Sequence, residues 1–313
     1  MRALLVVNPK ATTTSERMRD VLAHALASDL KLDVATTGHR GHAGELARAA
    51  ARENVDVVIA LGGDGTVNEV ANGILADGPS PDLPAVAVVP GGSTNVFARA
   101  LGMPNDPVEA TGVLLDALRT GRSRRIGLGM ADDRWFLFCA GLGFDADVVA
   151  RVERRRAEGR KSTHGLYVRS AMRRFYRSGG TRRSGPLTLE EPGREPVRGL
   201  CLGIVQNTSP WTFLGDRPVH ACPDASFDTG LDLFGLTKMA TLPTLRHLRR
   251  MLASSGDAPG RAPQGRHVVS LHDCATFTLG ADEAVSLQVD GDHLGQHRSV
   301  TFRGVPHALR VIV

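Results

Sequence analysis

Aromatic side chains are scarce, at 4% of 313 residues, which excludes the ranks of stacking rings that platforms for single-stranded nucleic acid use. Cysteine is scarce too. Cys139, Cys201, Cys222 and Cys274 are widely spaced with no C-x-x-C pair, a pattern of reduced thiols rather than a disulfide framework or zinc site. No apolar run approaches the ~18 residues that cross a bilayer. The apolar start Ala3–Val7 is too short for a secretion signal and meets Asn8-Pro9 at once. The expectation is a soluble, cytoplasmic chain that can still touch a membrane. Its 42% hydrophobic and 23% charged residues are ordinary for globular proteins, and its length suits two domains better than one.

Acidic residues are nearly missing from one stretch. Residues 151–183 hold twelve Lys/Arg against only Glu153 and Glu158, which exceeds the whole net charge of +5 and leaves the rest of the chain slightly acidic. Leu166, Tyr167, Val168, Met172, Phe175 and Tyr176 are interleaved with the arginines. Such a run reads as a solvated helical face or as an interfacial helix on an anionic membrane, with nucleic acid a weaker fit.

The most informative stretch is Asp56 to Gly73, DVVIALGGDGTVNEVANG. Val57–Leu61 is a buried-strand run. Gly62-Gly63-Asp64-Gly65 is a turn in which glycine lets a ligand approach the backbone. Thr66-x-x-Glu69 then reads as a capping box opening a helix. Strand, glycine turn and helix start together offer backbone N–H groups and a positive dipole end to phosphate. An ordinary βα turn would look similar, but Asp64 speaks against it. A carboxylate in a phosphate cradle is unfavourable unless it holds a metal, takes a proton or binds a hydroxyl. That points to phosphoryl transfer.

The neighbouring pattern agrees. A strand over 2–7 ends at Asn8-Pro9, and Thr13-x-x-Glu16 predicts a cap for a helix reaching about residue 28. A strand over 32–36, a helix near 43–53, a strand over 85–89, a helical segment over 96–101 and a helix over 107–119 follow. This alternation implies a doubly wound parallel sheet, whose ligands lie beyond the strand carboxyl ends. Pro90-Gly91-Gly92-Ser93-Thr94-Asn95 is a second strand–glycine–helix turn at that edge. After about residue 122 short β-like runs dominate (124–129, 135–140, 187–190, 200–206, 231–235, 268–271, 275–279, 285–289, 300–303 and 309–313), with helical patterns only near 146–177 and 241–254. A β-sandwich is expected there.

These residues resemble the diacylglycerol kinase catalytic family, which includes sphingosine and ceramide kinases. Val7-Asn8-Pro9 is similar to its opening motif, Gly62 to Glu69 to its nucleotide signature, Pro90 to Asn95 to its second glycine loop, and Asp290-Gly291-Asp292 to its late D-G-E. The resemblance implies an α/β nucleotide-binding domain over 1–122, to which 300–313 would return. It implies a β-sandwich lipid-binding domain over 123–299 with the Arg-rich insertion 146–177, and a cleft between the two. It implies transfer of the γ-phosphate of ATP, with Mg²⁺, to a lipid hydroxyl, most plausibly of diacylglycerol, by an enzyme held peripherally on the inner membrane face through 151–183. By position, Asn8, Thr37, Gly62, Gly63, Asp64, Gly65, Thr66, Glu69, Gly92, Ser93 and Asn95 would line the ATP site. Asp292 matches the proton-accepting carboxylate, Asp64 is the other candidate for base or metal work, and Asp147 matches a lipid head-group contact, although a helix cap explains it equally well.

Three departures stand out. Asp292 is one methylene shorter than the family's Glu, Val96 replaces an Asp, and Thr229 occupies an acidic position of a structural Mg²⁺ segment, leaving Asp228 as a weak ligand candidate. A soluble-substrate kinase of the NAD kinase type is the first alternative, since it shares G-G-D-G. A non-catalytic nucleotide-binding regulator is the second. No nucleic-acid partner is expected, and a homodimer stays open.

Overall fold

The computed structural model describes residues 1–11, 15–143, 146–147, 149–150, 185–253 and 262–313. The predicted cap Thr13 and the basic stretch 151–183 therefore lie outside the described residues. The chain forms two compact units, Met1–Leu128 with Pro306–Val313, and Gly129–Val305.

The first unit is an α/β layer structure. Strands β1 (Arg2–Val7), β2 (Lys31–Thr36), β3 (Val57–Gly62) and β4 (Ala85–Pro90) run parallel in the order β2-β1-β3-β4. Every residue of β3 and β4 is buried, which is why both read as unbroken apolar runs rather than alternating ones. The register pairs Val7 with both Thr36 and Leu61, and Gly62 with Pro90. The strands therefore end level, and their following loops leave from one edge. Beyond β4 lies the end of the long strand β16 (Asp292–Ile312), whose Val311 pairs in parallel with Val86.

Helices α1 (Glu16–Ala27), α2 (His42–Arg52), α3 (Asp64–Ile74), α4 (Val96–Ala100) and α5 (Pro107–Thr120) connect the strands. The α1 cap is Ser15, whose Oγ accepts from the Met18 amide at 3.2 Å, and Glu16 is the first helical residue. Asp106 caps α5 by accepting from Val108 and Glu109, with Pro107 in the first turn and Gly121 closing the helix at φ 70°, the usual asymmetry of start and stop signals.

The second unit is β-rich. Strand β5 (Ser123–Ala131) leads into it, followed by β6 (Arg134–Phe136), β7 (Cys139–Gly143), β8 (Leu187–Glu190), β9 (Val197–Leu200), β10 (Leu202–Gln206), the hairpin β11 (Thr212–Leu214) and β12 (Arg217–Val219), β13 (Leu231–Leu236), helix α6 (Thr241–Met251), β14 (Val268–Cys274) and β15 (Thr276–Val289). Antiparallel pairing runs β14-β13-β10-β7-β15-β16, while the first half of β15 also carries β8. Strand β15 is thus shared by two leaves, with a register break between Gly280 and Val285. Residues from both leaves (Phe136, Leu142, Leu189, Leu279 and Phe302 among them) meet in one core. Burying each such side chain contributes about 1.5–3 kcal/mol.

Several expected strands have other bounds. The run 135–140 is split between β6 and β7, and 200–206 between β9 and β10. Conversely, 275–279 and 285–289 are one strand, as are 300–303 and 309–313. No helix among the described residues is long and apolar enough to cross a membrane.

Candidate functional site

Two glycine turns at the level edge of the first sheet press against each other. The Gly91 amide donates to the Gly62 carbonyl at 2.8 Å, extending the β3–β4 pairing into the turns. A Cβ on Gly63 would stand 3.2 Å from the Gly92 Cα, and a Cβ on Gly92 would stand 2.7 Å from the Gly63 Cα and 2.9 Å from Asn95 Oδ1. At Gly92 only hydrogen permits this backbone-to-backbone contact, and at Gly63 a side chain would push the turns apart by a few tenths of an ångström.

Polar side chains lock each turn in place. Asn8 donates through Nδ2 to Thr66 Oγ1 at 2.9 Å, while its Oδ1 accepts the Lys10 amide. The Thr37 amide donates to the Val7 carbonyl. Asn95, buried at φ 51°, accepts the Gly92 amide through Oδ1 and donates through Nδ2 to the Gly92 carbonyl and to Asn105 Oδ1. Asn105 had no signal in the sequence, because its contact bridges ten residues of loop and a short helix. Ser93 is exposed at the tip of the second turn.

The two carboxylates of the nucleotide signature sit elsewhere than the sequence spacing predicts. Glu69 does not form a capping box with Thr66. Helix α3 starts on Gly63 without a side-chain cap, and Glu69 reaches across to accept the Gly41 amide at 2.8 Å and the Ala43 amide at 3.3 Å. It therefore caps α2, whose own N-cap residue is a glycine. Asp64 likewise caps a neighbour. Its Oδ2 accepts the Val96 amide and its Oδ1 the Phe97 amide, both at 3.0 Å, at the start of α4. Residue 64 keeps some solvent exposure, yet burial of its carboxylate raises the pKa, against the lowering effect of those amides and of Arg99. A carboxylate in such a glycine turn thus has a use beyond metal, proton or hydroxyl: it satisfies an adjacent helix start.

Of the helices that open from this edge, α2 and α4 have first-turn amides taken by Glu69 and Asp64, whereas α3 opens on Gly63, with the Thr66 amide turned back to the Gly63 carbonyl at 2.9 Å and the Asp64 amide meeting its own carboxylate. A helix start set between glycine turns is a common place for an anion.

The late motif lies in the second unit. Val289 pairs with Asp292 across Asp290 (φ 47°) and Gly291 (φ 84°), a two-residue hairpin turn with both central residues left-handed. Asp290 is buried and accepts the Leu137 amide at 2.7 Å and the Phe138 and Cys139 amides at 3.0 Å, while its own amide donates to the Cys139 carbonyl. The expected strand over 135–140 breaks at these residues because their amides turn to that carboxylate. Asp292, half-buried, begins β16 just beyond the anchored turn. Sequence reasoning gave Asp290 no role, although Asp-Gly between apolar runs was a hairpin signal.

Asp147 accepts from Ser286 Oγ at 2.7 Å. Asp228 is exposed, and its amide donates to Ser226 Oγ. Thr229 turns its hydroxyl to the Ser226 carbonyl at 3.0 Å. Among the described residues, three metal-type side chains gather at His39, His42 and Glu45 and not at Asp228. There the Gly38 amide donates to His42 Nδ1 at 3.0 Å, which assigns the ring proton to Nε2 and withholds that lone pair from an ion.

The family model for the diacylglycerol kinase catalytic domain matches residues 2–131. Diacylglycerol kinases of Staphylococcus aureus (strain bovine RF122 / ET3-1 and strain MRSA252) are each 38% identical over 146 residues, covering 45% of this chain and 44% of their own length. The matched stretch thus spans less than half of these relatives. A diacylglycerol kinase structure from Bacillus anthracis str. Sterne superposes with a TM-score of 0.72 at 20% identity, over 99% of this chain and 96% of that one. An NAD kinase from Archaeoglobus fulgidus in complex with ATP gives 0.52 at 13% identity, over 100% and 94%. These structural likenesses are of fold.

Proposed function

We propose that this chain, whose residues 2–131 match the family model of the diacylglycerol kinase catalytic domain, transfers the γ-phosphate of MgATP to a lipid hydroxyl, most plausibly that of diacylglycerol. The observation that carries the reading is the start of α3 between two abutting glycine turns, where the backbone lies open to close approach and the flanking helices are capped by Glu69 and Asp64. A triphosphate is the ligand such an end suits. The family match supplies the lipid acceptor.

In this reading Mg²⁺ arrives with the nucleotide, held largely by phosphate oxygens as Mg²⁺ commonly is. Asp64, whose oxygens already accept two amides, holds the turns rather than the ion. Asp292 accepts the proton of the lipid hydroxyl as its oxygen bonds to the γ-phosphorus and the bond to the β–γ bridging oxygen breaks, leaving phosphorylated lipid and ADP. A positioned base of this kind contributes roughly 10²–10⁴-fold. Asp147 remains the candidate for a head-group contact, and residues 151–183 for contact with an anionic membrane.

The test is transfer of labelled γ-phosphate from MgATP to a lipid panel in mixed micelles, wild type beside Asp292→Asn. Label on diacylglycerol, lost in the variant while ATP binding persists, supports the reading. Label on a soluble acceptor instead, or none at all with ATP bound, overturns it.

A further inference from the structure

Helix α6 of the second unit presents a surface that nothing in the phosphotransfer reading uses. Its sequence, TLPTLRHLRRM, contains three arginines and no acidic residue. One side is fixed to the core. His247 is buried with its ring edge-on to Phe234 at 6.4 Å, and Met251 is buried with its carbonyl accepting the His220 amide. The opposite side is apolar and open: Leu242 is 81% exposed, Leu245 56% and Leu248 42%. Among the described residues these are the only strongly exposed leucines. Arg246 and Arg249, also exposed, stand between them on the same side, as three- and four-residue spacing requires. Leu245, Leu248 and Arg249 continue with Arg217, Leu252 and Ala253 into an open groove of about 350 Å³.

An amphipathic helix normally turns its leucines inward and its charges outward. Here leucine and arginine share the outer face, so an occupant must offer apolar depth and negative charge side by side. We propose that the outer face of α6 docks on an anionic lipid bilayer, with Leu242 and Leu245 entering the acyl boundary and Arg217, Arg246 and Arg249 meeting lipid phosphates. Interfacial helices bind by this combination, and basic side chains beside a bilayer gain from its negative surface potential. A second copy of the chain fits worse, because it would bring the same arginines against one another. The inference rests on the proposed lipid substrate only for its purpose; the surface itself is independent of the nucleotide loops.

The experiment measures partition of the full chain onto sedimenting vesicles of phosphatidylglycerol and, separately, of phosphatidylcholine. Phosphoryl transfer to a short-chain diacylglycerol kept below its aggregation threshold is measured in parallel. Expected are binding to phosphatidylglycerol vesicles that weakens with salt, little binding to phosphatidylcholine, and a fall of about tenfold or more in the partition of both L242D/L245D and R246E/R249E. Both variants should keep wild-type melting temperature and transfer to the dispersed acceptor. Unchanged vesicle binding in the two variants, or no binding by wild type, overturns the docking surface and leaves the kinase reading intact. A change of oligomeric state in the variants assigns the face to protein contact and overturns it equally. Loss of transfer by wild type to dispersed and micellar acceptors alike, with vesicle binding kept, sinks the kinase reading alone.

Discussion

The Gly63-Asp64-Gly65 turn of the first unit resembles in sequence the Asp290-Gly291-Asp292 turn of the second unit, each an aspartate beside glycine after an apolar strand. In each the first aspartate gathers backbone amides from a distant segment: Val96 and Phe97 for Asp64, and Leu137, Phe138 and Cys139 for Asp290. The two turns lead into different chemistry. After Asp64 comes a helix start; after Asp290 and one glycine comes a further carboxylate, Asp292. The comparison separates a carboxylate that fixes backbone from one that the proposed reaction uses as a base, which residue type alone does not reveal.

The largest expected effect is on the Asp290 turn. Asp290→Ala strands three amide donors in a buried setting, at about 1–3 kcal/mol for each unpaired group. A loss above about 3 kcal/mol in denaturant unfolding is expected. Asp292→Asn should cost less stability than Asp290→Ala and lower phosphoryl transfer by roughly 10²–10⁴-fold. If the two variants exchanged these phenotypes, the division between builder and actor would be wrong.

Asp64→Asn sharpens the same comparison in the first unit. An amide offers one oxygen where the carboxylate serves two N–H groups, so one donor at α4 is left facing an NH₂. A cost of about 1–2 kcal/mol in stability is expected, together with reduced transfer as the second glycine turn loosens. Lost transfer at unchanged melting temperature would move Asp64 into the class of Asp292. Glu69→Gln tests the analogous cap on α2, which is half exposed; about 1 kcal/mol is expected, with a weaker effect on ATP binding.

These effects mark where the sequence was legible. Buried parallel strands announce themselves, since 57–61 and 85–89 must be apolar on both faces. The capping assignment of Thr66 with Glu69 failed because it used spacing along the chain: Glu69 stands three residues after Thr66, yet its partners are 28 and 26 residues away. The partners of Asp290 are more than 150 residues distant. The hairpin β11–β12 was missed because its two three-residue strands are too short to show alternation, although Gly215, at φ 63°, marks its turn. Polar interruptions hid the continuity of β15, where Asp282, Glu283 and Ala284 are exposed on a strand that nonetheless runs through. The glycine contact of Gly63 with Gly92 was half visible: both turns were found, but nothing local says that they touch.

The smallest effect tests whether the amide-gathering role depends on fixed charge. Asp232, buried in the second unit, accepts the Asp273 amide at 3.1 Å and bonds His272 Nδ1 at 2.9 and 3.0 Å. It is a third carboxylate of the same kind, but one of its partners titrates. The hydrogen bond to Asp232 raises the His272 pKa above the usual 6.5. Asp232 is raised too, rather than lowered as a cation's partner would be, because the loss of water outweighs what the half-exposed imidazolium returns. For a histidine raised on folding, the linked stability is fully present below about 6.5, the unfolded value, and disappears as pH rises through the folded value. His272→Gln should therefore destabilise measurably at pH 5.5 and much less at pH 9, read as a difference in melting temperature against wild type at each pH. Equal losses at both would mean that Asp232 needs only a donor, as Asp64 and Asp290 do. A loss confined to the acidic side would show that this third carboxylate, unlike the other two, is held partly by charge.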